Sequence, residues 1–114
     1  MVAHRIAPWQ AWWVDFNPQR GREQAGLRPA IIIGTALACS LPNGLVLVVP
    51  CTTTDRGLPF HPPVTLAGRT GVAMCDQIKS ISVERLVRRH SAGTVAVAER
   101  DAIKFALKQL VQVT

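Results

Sequence analysis

The chain has 114 residues, 48% of them hydrophobic, and 13 Lys and Arg residues against seven Asp and Glu residues give it a net charge of +6. This length and composition predict one globular domain, residues 1–114, and exclude a disordered chain. The sequence has no apolar run near the roughly 18 residues that a membrane span needs and no N-terminal signal-peptide pattern, while its excess of positive charge favours a polyanionic partner such as nucleic acid.

Three cysteines, Cys39, Cys51 and Cys75, are an odd number without close paired spacing. This pattern predicts neither a disulfide framework nor a zinc site. We therefore expect buried or neutral thiols in a cytoplasmic protein that needs no metal and no cofactor. Asp76 follows Cys75 directly, and a neighbouring carboxylate opposes thiolate formation, so we do not expect Cys75 to be a nucleophile.

Three strands are predicted in the first half of the chain. The first covers 11–16, the second is the β-branched run 30–33, and the third is the apolar run 45–51. Each is bounded by proline, glycine or asparagine, which interrupt regular structure. A short helical turn is predicted over 35–40.

The second half predicts further strands and one helix. Residues 60–66 are expected to form an edge or interrupted strand, because Pro62 and Pro63 have no N–H to donate. Another strand is expected over 71–75 and 78–81, with a break at Asp76 and Gln77. Apolar residues at intervals of three and four predict an amphipathic helix over 97–112. The fold class is therefore mainly β, a small antiparallel barrel with a C-terminal helix.

Polar clusters follow or precede the apolar strands. The loop between the first two strands presents a carboxylate, an amide and a guanidinium in Glu23, Gln24 and Arg28. Further clusters are Thr52-Thr53-Thr54, Asp55-Arg56 and Asp76-Gln77. In a small barrel such loops can converge at one rim, and this combination of groups suits a phosphodiester better than a sugar, an acyl group or a metal.

Three ordered segments carry a resemblance to a known family. They are Gly21-x-Glu23-Gln24-Ala25-Gly26-x-Arg28-Pro29, then Val49-Pro50-Cys51-Thr52-Thr53 with Gly57-x-Pro59-Phe60, then Gly71-Val72-Ala73-x-x-Asp76-Gln77-Ile78-Lys79-Ser80-Ile81. Together they resemble the MazF/PemK (Kid-like) toxin endoribonucleases of type II toxin–antitoxin systems. Any one segment is a weak signal, but three in the right order, between residues 12 and 86, are specific.

The resemblance implies an SH3-like barrel, a homodimer and metal-independent, sequence-specific cleavage of single-stranded RNA. Messenger RNA is the expected target, with transfer and ribosomal RNA left open. It also implies a cognate antitoxin protein as partner. The family's catalytic arginine and threonine fall on Arg28 and Thr52, and a loop glutamate falls on Glu23. In one branch an aspartate with a base role falls on Asp76. The residues expected to contact RNA are Gln24, Thr53, Arg56, Phe60, Asp76, Gln77 and Lys79.

The residue types suit this chemistry. Attack by a 2′-OH leaves a 2′,3′-cyclic phosphate and a 5′-OH, and requires a proton acceptor and donors to the phosphorane. Arg28 offers bidentate donors and Thr52 a hydroxyl. Glu23 is the first choice for the proton acceptor, Asp76 the second, and His61 a minor candidate.

Several alternatives remain open from the sequence. Arg28 could be structural, Asp76 and Gln77 could only cap a strand, and the tryptophans are expected to pack rather than to stack on bases. Arg85, Arg88 and Arg89 are expected to form a solvated face. The branch that uses the aspartate also has an arginine two residues upstream, where this chain has Met74, and the usual start of the first strand is replaced by Trp9-Gln10. A gyrase-binding toxin of the same fold and a degenerate RNA-binding member are the competing functions.

Overall fold

The structure is a computed structural model that describes residues 5–17 and 26–112. Within these ranges the chain forms a mainly β fold that ends in a helix. In chain order the elements are β1 (Gln10–Asp15), β2 (Leu27–Ile32), α1 (Ala36–Ser40), β3 (Leu45–Thr52), β4 (Pro63–Leu66), β5 (Arg69–Ala73), β6 (Lys79–Ser82), β7 (Leu86–Thr94) and α2 (Val97–Leu110). Single 3₁₀ turns lie at Cys75–Gln77 and Val83–Arg85.

The strands pair antiparallel in the order β4-β5-β3-β2-β1-β7, as a curled half-barrel sheet. β3 is the central strand. One of its edges pairs with β2, and the other is shared between β6, along Leu45 to Val48, and β5, at Cys51 and Thr52. The 3₁₀ turn Cys75–Gln77 joins β5 to β6, so this turn lies beside the C-terminal half of β3.

Two apolar cores lie on opposite faces of the sheet. On one face Ile31 and Val49 pack with Ile103 of α2, and on the other Val48 packs with Trp12 and Leu86. The alternation follows from strand geometry, since successive side chains point to opposite faces. Neighbouring residues such as Val48 and Val49 are therefore buried in different cores, which explains why the sequence of β3 is almost wholly apolar.

Most predicted elements are confirmed. The first three strands, the helical turn and the C-terminal helix lie where the sequence predicts them, although β2 begins at Leu27 rather than at residue 30. β4 is an edge strand of the sheet, as the prolines indicate, but it begins only at Pro63. The N–H of His61 donates to the carbonyl of Leu58 (3.0 Å), so a turn occupies the first half of the predicted strand 60–66.

The sequence did not predict β7. Its sequence LVRRHSAGT lacks an apolar alternation, yet it pairs with β1 through Val14 and Leu86 and through Trp12 and Arg89. Arg88 and Arg89 are exposed, as expected of a solvated face, and they also contact aromatic rings of β1. Arg88 and Arg89 lie over the rings of Trp13 and Trp12, at 5.4 and 5.8 Å.

Arg85 also has a structural role that the sequence did not reveal. Its guanidinium donates to the carbonyls of Asp15 (3.1 Å) and Asn17, and so joins the end of β1 to the start of β7. In the described part of the chain, neither helix has the length and apolar character needed to cross a lipid bilayer.

Gly71 occupies the closest approach between β5 and the end of β3. A Cβ atom there would fall inside the contact distance of the Thr52 carbonyl oxygen, a backbone atom that cannot rotate away. We expect Gly71→Ala to lower the free energy of unfolding by about 1–3 kcal/mol, measured by urea denaturation, and to shift the backbone amide resonances of Thr52 and Thr53.

Gly44→Ala is the matched control. Gly44 has φ +70° but open space around it, so the substitution costs about 1 kcal/mol of backbone strain and leaves the Thr52 resonances in place. Unchanged Thr52 resonances in Gly71→Ala would contradict the close approach.

Candidate active site

The pairing of β2 with β3 brings the two predicted catalytic residues together. Ala30 pairs with Pro50 and Ile31 with Val49, and the same register extended by two residues places Arg28 opposite Thr52. Residues opposite each other on neighbouring strands have Cβ atoms about 5 Å apart. Arg28 is exposed and Thr52 half-buried, so their functional groups lie where strand ends meet solvent.

Two adjoining cavities share Arg28 and Thr52 in their walls. The first, of about 440 Å³, is otherwise lined chiefly by β1, β2, β4, β5 and β7. The second, of about 300 Å³, is lined by the loop after β3 and by the 3₁₀ turn. Arg28 and Thr52 therefore line both cavities, and we call the wall that they share the ridge.

The local hydrogen bonds leave the Thr52 hydroxyl available as a donor. Its Oγ1 accepts the N–H of Thr54 (3.2 Å), a short side-chain-to-backbone bond typical of turns. One lone pair is thereby occupied, and the O–H can donate to a phosphate oxygen. Asp55 shapes the next turn in the same way, since its Oδ1 accepts the N–H of Gly57 (2.8 Å).

An imidazole–carboxylate pair lies in the second cavity. His61 Nε2 is 2.6 Å from Asp76 Oδ1, and both residues line the wall that also contains Arg28 and Thr52. The His61 side chain is buried, whereas the Asp76 side chain is 37% exposed. The sequence ranked His61 only as a minor candidate, because its position before Pro62-Pro63 gave no sign of a partner 15 residues away.

The predicted RNA-contacting residues form three groups: those that line a cavity, those that line neither cavity, and those outside the described residues. Thr53 lines the first cavity, while Arg56, Asp76 and Gln77 line the second. Phe60 and Lys79 line neither cavity. Phe60 lies edge-on to the His61 ring (5.2 Å), and the Lys79 ammonium lies over Phe16 (5.5 Å). Glu23 and Gln24 lie outside the described residues.

Both cavities carry positive charge and contain residues that the sequence did not single out. Arg28 and Arg56 face the second cavity, with Asp76 as its acidic residue, and Arg69 faces the first. Met74 lines the second cavity and accepts a long hydrogen bond from the Gln77 amide (3.6 Å). The first cavity is also lined by Trp13 and His90, whose rings stack 5.0 Å apart.

The titration behaviour of this region reflects burial. Desolvation, followed by the neighbouring Asp76 carboxylate, raises the pKa of the Cys75 thiol to about 11. Burial also raises the pKa of Cys51, and burial with the nearby Arg88 lowers the pKa of His90. Across residues 5–17 and 26–112, no three His, Cys, Asp or Glu side chains form a group that could hold a metal ion.

Comparison with known proteins decides the family. Residues 7–111 match the model of the PemK-like, MazF-like toxins of type II toxin–antitoxin systems. The chain belongs to this family. It is 41% identical over 99 residues to the endoribonuclease toxin MazF of Escherichia coli K12, a match that covers 87% of each chain.

Solved structures agree with this membership in the PemK/MazF-like family. The fold is similar to that of MazF from Deinococcus radiodurans, with a TM-score of 0.80, 25% identity and coverage of 95% of this chain and 97% of the other. It is also similar to the MazE–MazF structure from the same organism, with a TM-score of 0.73, 26% identity and coverage of 95% and 96%. The enzymatic function class and the barrel predicted from the sequence are thus confirmed at the level of the family.

The thiol environments predict an order of chemical reactivity. Cys39 is partly exposed, whereas Cys51 and Cys75 are buried with raised pKa values. At about pH 8 we expect iodoacetamide to alkylate Cys39 first and to reach the other two only after unfolding in guanidinium, as followed by peptide mass spectrometry. Rapid alkylation of Cys75 in the folded protein would contradict its buried, neutral state.

The raised pKa of Cys75 also predicts a loss of stability at high pH. Below pH 9.0, the ordinary thiol value, folded and unfolded chains both keep the proton, and the stabilising contribution is fully present. Between pH 9 and 11 only the unfolded chain releases it, so the free energy of unfolding falls as pH rises. Urea denaturation should show a smaller fall for Cys75→Ala over this interval, and an identical fall would refute the linkage.

Proposed function

We propose that this chain is the toxin of a type II toxin–antitoxin system and that it cleaves single-stranded RNA, chiefly messenger RNA, without a metal ion. We further propose that residues 1–114 form one domain that acts as a homodimer in the cytoplasm. The observation that carries the proposal is the placement of Arg28 and Thr52 side by side on the ridge between two cavities. A ridge of this kind fits a phosphodiester whose flanking nucleotides occupy the clefts.

The proposed reaction uses the RNA's own nucleophile. The 2′-oxygen attacks the adjacent phosphorus and transfers its proton to a carboxylate, while the bond from phosphorus to the 5′-oxygen breaks and that oxygen takes up a proton. The products are a 2′,3′-cyclic phosphate and a 5′-OH. Arg28 and Thr52 donate hydrogen bonds to the charged phosphorane, where such donors are most effective.

Two carboxylates are candidates for the proton acceptor. Asp76 faces the second cavity together with Arg28 and Thr52, which supports its participation. Glu23, the first choice from the sequence, is proposed on the resemblance alone. We propose that Gln24, Thr53, Arg56, Phe60, Gln77 and Lys79 contact RNA, with the strongest support for Thr53, Arg56 and Gln77, which line the cavities.

A cognate antitoxin is the proposed protein partner. The Deinococcus radiodurans MazF to which this fold is similar was solved with MazE. The clefts of this chain carry Arg28, Arg56 and Arg69, and the whole chain has a net charge of +6. An acidic, extended antitoxin segment that lies across the same arginines would exclude RNA by competition.

Cleavage of a long single-stranded RNA in EDTA tests the proposal. We expect cuts at a short recurrent motif with cyclic-phosphate ends. Arg28→Ala and Thr52→Val should each lower the single-turnover rate by about 100-fold or more, because each removes one donor to the phosphorane. Rates and end groups are measured by gel mapping and mass spectrometry.

Lys108→Ala is the control, since Lys108 is an exposed cation on α2 that lines neither cavity. It should cleave at the wild-type rate. RNA that stays intact but bound would support a degenerate RNA-binding member, and intact RNA together with inhibited DNA supercoiling would support a gyrase-binding toxin. Either result would overturn the nuclease proposal.

A further inference from the structure

The described residues contain one close pairing of a histidine with a carboxylate, between His61 and Asp76 (2.6 Å). The two side chains differ sharply in exposure. His61 is 7% exposed, whereas the Asp76 side chain is 37% exposed and faces the cavity that Arg28 and Thr52 share. Both residues line this cavity, and the carboxylate is the more exposed member of the pair.

Local structure fixes both partners. His61 ends a turn that Leu58 begins, the N–H of Ala73 donates to the carbonyl of the neighbouring Pro62 (2.9 Å), and the Phe60 ring lies edge-on to the imidazole. Asp76 is the middle residue of the 3₁₀ turn Cys75–Gln77. The hydrogen bond between Ala73 and Pro62 joins the two backbone segments. The His61–Asp76 pair therefore forms between segments that are already bonded to each other.

The second nitrogen of His61 settles which role the imidazole can play. Nδ1 is buried and has no hydrogen-bond partner among the described residues. A carboxylate oxygen only accepts, so Nε2 is the nitrogen that donates its N–H, to Asp76 Oδ1 (2.6 Å). The Nε2–H is therefore committed to Asp76, and Nδ1 is buried away from RNA.

We propose that His61 is a positioning residue for Asp76: its Nε2–H holds one carboxylate oxygen and turns the other towards the phosphate beside Arg28 and Thr52. This inference rests on the proposed ribonuclease function and specifies which carboxylate takes the proton. As the 2′-oxygen bonds to phosphorus, the proton passes to the free oxygen of Asp76. His61 keeps its own proton throughout.

Two amide substitutions separate positioning from packing. In His61→Gln the side-chain amide reaches the former place of Nε2 and can donate to Asp76. In His61→Asn the amide reaches only as far as Nδ1 and cannot. The two variants carry the same polar group and differ in length by one methylene. The melting temperature is measured for both.

We expect His61→Gln to cleave RNA within about threefold of the wild-type single-turnover rate, and His61→Asn to lose roughly 10- to 100-fold through misplacement of the carboxylate. RNA affinity should be the same for both. The Asp76→Asn variant should itself cleave slowly. When it is combined with either His61 substitution, the two double variants should cleave at equal rates, because the effects of coupled residues are not additive.

The outcomes are decisive. Equal rates for the two amide variants, an equal loss in both backgrounds, or wild-type cleavage by Asp76→Asn would each overturn the role of His61. These results would leave the proposed function intact as long as the wild type cleaves and Arg28→Ala does not. A wild-type protein that does not cleave RNA would overturn the proposed function, and the role of His61 with it.

Discussion

The register between β2 and β3 is the constraint on which the candidate site depends. Ala30 lies opposite Pro50, and the same register continued places Arg28 opposite Thr52, although the two residues are 24 positions apart in the sequence. A slip by one residue would turn every side chain of β2 to the other face, and Ile31 and Ile32 would exchange cores. Because the two residues are fully buried in different cores, the apolar packing that stabilises the sheet also fixes the geometry of the site.

The edge of β3 that does not pair with β2 is divided between β5 and β6, and this division provides the rest of the candidate site. The connection between these strands cannot continue as a straight ladder, and it turns through Cys75–Gln77 instead. The amide of Met74 remains bonded to the carbonyl of Pro50 (2.9 Å), which anchors this turn to the central strand. Asp76 is thereby presented to the cavity while Cys75 is buried beneath it. The interruption of the sheet is thus the feature that brings a carboxylate to the arginine and the threonine.

The sequence predicted the apolar strands, the C-terminal helix and the grouping of Arg28, Thr52 and Asp76, because each has a local signal or a family motif. β7 was not predicted, since residues such as Arg88 and Arg89 gain their packing from Trp13 and Trp12 of a distant strand. His61 was undervalued for the same reason. Its partner lies 15 residues away, and the turn that places it breaks the expected strand. Long-range pairing leaves no periodicity in the sequence, so only the folded chain reveals it.

The ridge formed by Arg28 and Thr52 separates two clefts of different chemistry. One is walled by rings and aliphatic side chains, such as Trp13, Val64 and Leu66, and the other by polar groups, such as Arg56 and Gln77. A strand of RNA laid across the ridge would meet one set of groups upstream of the broken bond and another set downstream. Substitutions in one cleft would then change the base preference on that side of the bond alone and leave Arg28 and Thr52 in place.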